Sequence, residues 1–192
     1  MPKKLGASYF EQTRVFKEKT GGFLDAYIAL AEKLSELSGK IAAYLLVPLV
    51  IVFLIEIFSR NLFNQPTTWA YGTCYIIGGC AAVLGFGYAL KAGVMVRIDV
   101  IHTHLSEKTK CVLDLILFAL IFLPLMLGTC YVCIMNAAAS VSSMELLSTG
   151  SWNAPIWPTK LVMAVSMIIF TMQGLAEMCK LIKRLKALQE GE

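Results

Sequence analysis

Charge and histidine are scarce in this chain, and both shortages narrow the possible functions. Charged residues make up 16% of the 192 residues, whereas soluble domains carry about 25%. The two histidines, His102 and His104, lie outside the apolar runs, so they cannot serve as axial haem ligands inside membrane helices. Two histidines without further ligands also make a poor metal site. We therefore expect no cofactor, no metal and no enzymatic activity, because the sequence holds no recognisable catalytic constellation.

Apolar residues, in contrast, are abundant and lie in long runs. They account for 57% of the chain and concentrate in residues 41–58, 69–90, 111–135 and 156–179. A helix needs about 20 apolar residues to cross the bilayer core, and a spanning segment must satisfy its own backbone hydrogen bonds. The sequence predicts an all-α integral membrane protein with about four transmembrane helices in a bundle. Pro48 and Pro124 are expected to disturb their helices.

The basic residues predict the orientation. Of 17 lysines and arginines, only Arg60, between the first two runs, and Lys160, near the start of the last run, lie toward the other side of the membrane. Since basic residues mark cytoplasmic segments, both termini are expected in the cytoplasm of a bacterium, with the spans in its inner membrane. Trp69, Trp152 and Trp157 then lie at the outer surface, as interfacial tryptophans do. This bias accounts for the net charge of +4, so we expect lipids and no nucleic acid as partners.

Three regions follow from these runs: an N-terminal arm (1–40), a transmembrane domain (41–185) and a tail (186–192). No apolar stretch of a signal peptide precedes the first run, so the arm is expected to remain. Alternating spacings of four and three predict an amphipathic arm helix with one apolar face, formed by Phe23, Tyr27, Leu30, Leu34 and Leu37. The arm is expected along the cytoplasmic surface or on a partner. The alternative is a solvated extension of the first span.

Two of the six cysteines, Cys130 and Cys133, form a CxxC pair. One hypothesis is a membrane thiol–quinone oxidoreductase that uses this pair. Such an enzyme also needs an outer-loop cysteine pair, and residues 59–68 and 136–155 contain none. Thiols packed in the bundle are the favoured interpretation. Another alternative, suggested by the arm and the basic loops, is an anchor subunit for a different complex.

Glu56 and Arg60 are spaced for a helical ion pair near the outer end of the first span. Glutamate four residues before a basic residue is the favoured order. Acidic groups inside membranes are costly and often functional, but this one lies at shallow depth. We therefore interpret the two residues as a structural pair.

Small residues line one face of the second span at helical spacing. Such residues let helices approach closely in membranes. The face is expected to pack inside the bundle or against another subunit, and it consists of Gly78, Ala82, Gly85 and Ala89.

Three segments carry a family resemblance. They read RNLFNQPTTWAY at 60–71, GVMVRIDV at 93–100 with Leu105 and Ser106 after it, and SWNAPIWPTKL at 151–161, which includes Asn153. In this order around four spans they resemble the small membrane subunit of tripartite ATP-independent periplasmic (TRAP) transporters, over about residues 40–185. The last segment is similar to a branch that often serves oxo acids and other organic acids. Arg97 and Asp99 keep the family pattern, whereas Gly72 replaces a usual acidic residue and Met95 a usual histidine.

The resemblance implies a transport function in which this chain is an accessory subunit. Its partners would be a large multi-span subunit, which holds the sodium and substrate sites, and an extracytoplasmic substrate-binding protein, which delivers an organic anion. The small subunit would brace the static part of the large one. The interface candidates and the outer-loop residues would then contribute to assembly of the complex and not to catalysis.

Overall fold

A computed structural model describes residues 22–65, 67–93, 107–147 and 152–190. The chain folds into helices α1 (Phe23–Phe63), α2 (Ala70–Lys91), α3 (Glu107–Leu117), α4 (Leu123–Ser142) and α5 (Trp157–Glu190). A π-helical turn, Phe118–Phe122, joins α3 to α4. Four helical segments are long and apolar enough to cross a membrane. The all-α membrane fold expected from the apolar runs is therefore confirmed.

The third span is one helix with a local change of winding. The π turn lies directly before Leu123, and Pro124 follows it in the first turn of α4. Proline has no N–H to donate to the residue four positions earlier, and such losses are commonly absorbed by a π turn. The disturbance expected at Pro124 therefore takes this form. Pro48, the other proline within a span, lies inside the continuous helix α1.

Helix α1 is far longer than a membrane crossing requires. Its 41 residues correspond to about 60 Å at 1.5 Å per residue, about twice the hydrocarbon thickness. The arm is helical from Phe23, but it is an uninterrupted extension of the first span. The boundaries expected at residues 40 and 185 both fall inside helices, α1 and α5.

Helix α5 lies at the centre of the packing. It contacts α1, α2, α3 and α4, and 44% of its most apolar window is buried, against 6% for α1 and for the third span. An aromatic cluster fills the junction between α5 and the π turn: Phe122 stacks on Phe118 at 4.2 Å and meets Phe170 edge-on at 5.6 Å. Gly174 allows this approach, because a Cβ there would lie 2.6 Å from the Phe122 ring.

Helices α1 and α2 cross closely at Gly39. A Cβ on Gly39 would lie 2.6 Å from the Cβ of Tyr88 and 2.7 Å from its Cγ. These atoms sit next to the α2 backbone, so they cannot move away without moving the helix. The crossing brings the first two helices into contact near one end of the bundle. That end also carries the first residues of α1 and the last residues of α5, and we call it the terminal end.

Candidate functional site

Glu56 organises the opposite end of the bundle, which we call the tryptophan end. Its carboxylate pairs with the guanidinium of Arg60 at 3.1 Å. The other carboxylate oxygen accepts a hydrogen bond from the backbone N–H of Thr67 at 3.0 Å and a second from the Thr67 hydroxyl. The ion pair is thus present as the spacing predicted, and Glu56 also fixes the loop that leads to α2. Arg60 stays largely exposed, with 68% of its side chain accessible, against 18% for Glu56.

These contacts make the two residues unequal. We expect Glu56→Ala to lower the free energy of unfolding by about 1–2 kcal/mol, because the Thr67 N–H loses its acceptor, whereas Arg60→Ala should cost less than about 1 kcal/mol. Thermal unfolding of the purified chain in detergent measures both.

Exchanging the two residues, Glu56→Arg with Arg60→Glu, provides the control. The exchange restores opposite charges but leaves Thr67 without its carboxylate partner, so it should be as damaging as Glu56→Ala. An exchange that recovers wild-type stability would contradict the role given to Thr67.

A second loop at the tryptophan end connects α4 to α5 and is held by backbone bonds. Leu146 forms an isolated bridge with Pro155, and the Leu147 N–H donates to the carbonyl of Ala154 at 2.7 Å. The side chain of Lys160 pairs with Glu145 across the base of the loop. We call residues 145–147 with 152–156 the outer strap. These contacts hold the two ends of the loop together.

The hydrogen bond from Lys160 lowers the pKa of Glu145 below its usual value. A carboxyl whose pKa is lower in the folded state stabilises the fold above its unfolded pKa, and this stability is lost as the pH falls through the folded pKa. We therefore expect the wild-type chain to lose stability on acidification below pH 4–5 more steeply than Glu145→Gln. Melting temperatures measured across this range would test it, and parallel curves for the two proteins would contradict it.

Trp152 of the outer strap packs on Gly72 of α2. A Cβ on Gly72 would lie 3.0 Å from the Trp152 ring and 3.2 Å from Leu147, and Gly72 and Leu147 are both buried. An acidic side chain at position 72 would therefore displace the strap. The glycine thus leaves the space that the Trp152 ring occupies.

At the terminal end, a polar network joins α1 to α5. The hydroxyl of Ser35 donates to the side-chain carbonyl of Gln173 at 2.9 Å, and the Gln173 amide donates to Glu177 at 2.9 Å. Lys180 then bridges Glu177 at 2.7 Å and Glu32 at 2.8 Å. Ser35 and Gln173 are fully buried. Because each donor has an acceptor, this buried network can hold the two helices in one register.

Two further ion pairs attach α1 on either side of this network. Lys183 of α5 pairs with Asp25, and Lys91 at the end of α2 pairs with Glu36 at 3.2 Å. In all of these cross-helix pairs α1 supplies the acid, and α2 or α5 supplies the lysine. The arm is therefore fastened to the bundle mainly by ion pairs and by the buried Ser35. From the apolar face that the spacing predicted, Tyr27 adds a hydrogen bond to the carbonyl of Met172 at 3.1 Å.

The small-residue face of α2 is largely open. Nothing lies within 4 Å of a Cβ placed on Gly85, and Gly78 meets only Leu49 at 3.9 Å. Ala82 is exposed and Ala89 half-buried. The glycine that α2 uses inside the bundle is Gly87, whose Cβ would lie 3.3 Å from Ser35 and 3.4 Å from Ile169.

The remaining candidates occupy simpler places. Trp69 precedes α2, Trp157 begins α5 and Asn153 is exposed in the outer strap. Arg97 and Asp99 lie outside the described residues. Cys133 is buried in the core and Cys130 packs against that core, both as free thiols, which is the packing role that the sequence favoured.

Several structuring residues were not found from the sequence. Their partners are 11 to 138 residues away in the sequence, and no local spacing predicts such contacts. These residues are Thr67, Lys160, Ser35 and Gln173. Gln173 alone could have been suspected from the sequence, since an amide inside an apolar run needs a hydrogen-bonding partner. No group of His, Cys, Asp or Glu residues in the described part of the chain could hold a metal ion.

The comparisons with known proteins agree with this geometry. Residues 49–184 match the family described as Tripartite ATP-independent periplasmic transporters, DctQ component. The matched range runs from the middle of α1 through most of α5 and includes both loops of the tryptophan end. Neither the curated proteins nor the solved structures gave a match. The chain belongs to the DctQ family, the small membrane component of TRAP transporters.

Proposed function

We propose that this chain braces the large multi-span subunit of a sodium-driven, binding-protein-dependent transporter that imports an organic anion. The observation that carries the proposal is the family match over residues 49–184, which runs from the middle of the first span almost to the end of the fourth. The family is a transporter component, and the bundle has the features of a support: paired charges, a packed aromatic junction and fixed loops. Its work is to hold the large subunit in place in the bilayer.

The substrate is proposed to be a carboxylate, an oxo acid or a similar anion. The segment at 151–161 supports this class, since it resembles a branch that serves such acids. Helix N-termini and convergent donors at membrane depth would be needed for an anion site. Lys91, Lys160 and Lys180 are paired with carboxylates of the same chain. The anion and the sodium ion are therefore assigned to the large subunit.

We propose that the terminal end faces the cytoplasm and the tryptophan end faces outward, in a bacterial inner membrane. The distribution of lysine and arginine supports this orientation. In it, the Glu56 loop and the outer strap are the surfaces available to the extracytoplasmic binding protein. The open small-residue face of α2 is available to the large subunit within the bilayer.

The experiment that tests this function is uptake by vesicles containing the reconstituted complex. Gly85→Leu should lower the amount of assembled complex and the maximal uptake rate together, because a bulky side chain fills the open face of α2 where a partner helix approaches. The substrate concentration for half-maximal uptake should stay unchanged.

The control is Ala138→Leu, which enlarges an exposed residue of α4 and should leave assembly intact. Substrate preference or sodium dependence that changes with substitutions in this chain, at constant assembly, would contradict the bracing function. The thiol–quinone alternative finds no support in the geometry, because exchange requires an accessible thiolate and Cys133 is only 8% exposed.

A further inference from the structure

An apolar seam on the arm of α1 is left uncovered by the residues that the structure describes. Leu30, Leu37, Ile41 and Tyr44 are between 44% and 77% exposed, and Leu34 between them is half-buried. Their spacing alternates between four and three residues, which is the period of a helix surface that packs against a second helix. We call these five residues the α1 seam.

Lipid chains cannot cover the far part of this seam. Lys40 and Arg60 are 20 residues apart on one continuous helix, which is about 30 Å and matches the hydrocarbon thickness. Leu30 and Leu37 lie on the far side of Lys40 from the membrane, and Leu30 is about 15 Å beyond it. Two leucines that are more than half exposed therefore stand outside the bilayer core.

The arm cannot lay this seam flat on the membrane surface either. It is a direct continuation of a spanning helix, and its other side is fixed to the bundle. Ala31, Ser35 and Ser38 are buried in that contact, and Glu32 is bridged to Lys180 of α5. An in-plane position would require the helix to bend and these contacts to break.

The seam continues without a change of period into the membrane. The alternation of four and three continues through Pro48, which is half-buried, and then through Ile51, Ile55, Phe58 and Leu62, each at least 44% exposed. One long helix could therefore follow the seam from the tryptophan end, across the bilayer and on along the arm. A repeat of 3.5 residues is what such a side-by-side pair requires.

The charges beside the seam indicate what kind of helix fits. Lys33 and Lys40 lie along its outward edge and are exposed, although Lys40 also pairs with Glu36 of the same helix at 3.2 Å. A partner with acidic residues on the facing edge would be favoured there. Residues 1–20 of this chain contain five lysines and arginines and only two acids, and a second copy would bring its own lysines to the edge. Both are disfavoured by repulsion.

We propose that a transmembrane helix of the large subunit, with an acidic edge, packs along the α1 seam and continues about 15 Å past the bilayer beside the arm. This rests on the proposed function and adds to it the surface and the length of the partner helix. The cytoplasmic arm is then part of the intersubunit contact.

A photoreactive benzoylphenylalanine placed at position 37 tests the proposal in membranes that contain the complete transporter. Irradiation should join this chain to the large subunit. The same probe at position 29, an exposed alanine on another side of the arm, should give little of that product. Crosslinks from position 37 that form only within this chain, between two copies of it, or to lipid would overturn the proposal.

A double variant, Leu30→Asp with Leu37→Asp, gives an independent measure. Two charges buried in an apolar contact should reduce co-purification of the large subunit at least about tenfold, since a 1.4 kcal/mol loss already does so. Ala29→Asp, the matched control, should assemble like the wild type. Both variants should keep the helical content and melting temperature of the isolated chain, because the replaced side chains are exposed.

Different results would contradict the α1 seam and the proposed function. A double variant that assembles like the wild type would overturn the seam while leaving the proposed function standing. Wild-type chain that captures no large membrane subunit would contradict the proposed function and the seam together.

Discussion

Replacing Lys180 by methionine is expected to lower the free energy of unfolding by about 2–3 kcal/mol. Methionine keeps the length and the helix propensity of the side chain but leaves Glu32 and Glu177 without the ammonium that bridges them. Removing one member of a poorly solvated ion pair strands the other charge, and here two carboxylates are stranded. Thermal or denaturant unfolding of the detergent-solubilised chain, followed by circular dichroism, measures the loss.

A triple variant separates the stranded charges from lost packing. When Glu32→Gln and Glu177→Gln are added to Lys180→Met, most of the stability should return, since a neutral set of the same shape carries no unpaired charge. The Gln173 amide can still donate to the carbonyl of the new glutamine. A loss below about 0.5 kcal/mol for Lys180→Met alone would mean that solvent screens the pairs, and the network would then not hold α1 to α5.

Replacing Gly39 by alanine is expected to lower the free energy of unfolding by about 1–3 kcal/mol, the usual cost of overpacking. The added methyl group would lie 2.6 Å from the Cβ of Tyr88, so the two helices must separate where they cross. The same unfolding measurement applies. Because the arm begins at this crossing, the variant should also expose the buried face of the arm to proteases, or to a thiol reagent at a cysteine introduced there.

Gly79→Ala is the matched control for this substitution. Gly79 is an exposed residue of α2, and nothing lies within 4 Å of a Cβ placed on it. Its replacement should change stability by less than about 1 kcal/mol, and in the stabilising direction, because alanine favours the helix. Equal changes in the free energy of unfolding for the two variants would show that a methyl group fits at the α1–α2 crossing.

The spans were predictable because their cause is local. A run of about 20 apolar residues has few alternatives to a membrane helix, and the structure places helices over all four runs. The effect of proline was predictable only in part: Pro48 and Pro124 both lack the backbone donor, but the change of winding lies next to Pro124, and α1 continues through Pro48. The Glu56–Arg60 pair also follows from spacing within one helix.

The arrangement of the arm was not predictable, because its cause is distant in sequence. The pattern from Phe23 to Leu37 indicated an apolar face, and of that face Leu30 and Leu37 stay exposed, whereas Tyr27 bonds to Met172 of α5. Asp25, Glu32 and Ser35 hold the arm by meeting residues more than 135 positions later. The packing face of α2 was undecided for a similar reason, since α1 and α5 approach Gly87 but no neighbouring side chain comes within 4 Å of a Cβ placed on Gly85.

The central position of α5 has a consequence for biosynthesis. A ribosome completes this helix last, after α1, α2 and the third span have entered the membrane. It carries Gln173, Glu177 and Lys180, whose partners Ser35 and Glu32 belong to the helix made first. Until α5 is inserted, Ser35 and Glu32 lack these partners. Without Ser35 and Glu32, in turn, α5 would enter lipid with its own amide and charged groups unsatisfied, which is costly. Nascent chains truncated before Trp157 should therefore be recognised and degraded as incomplete, even though three of their four spans are already in place.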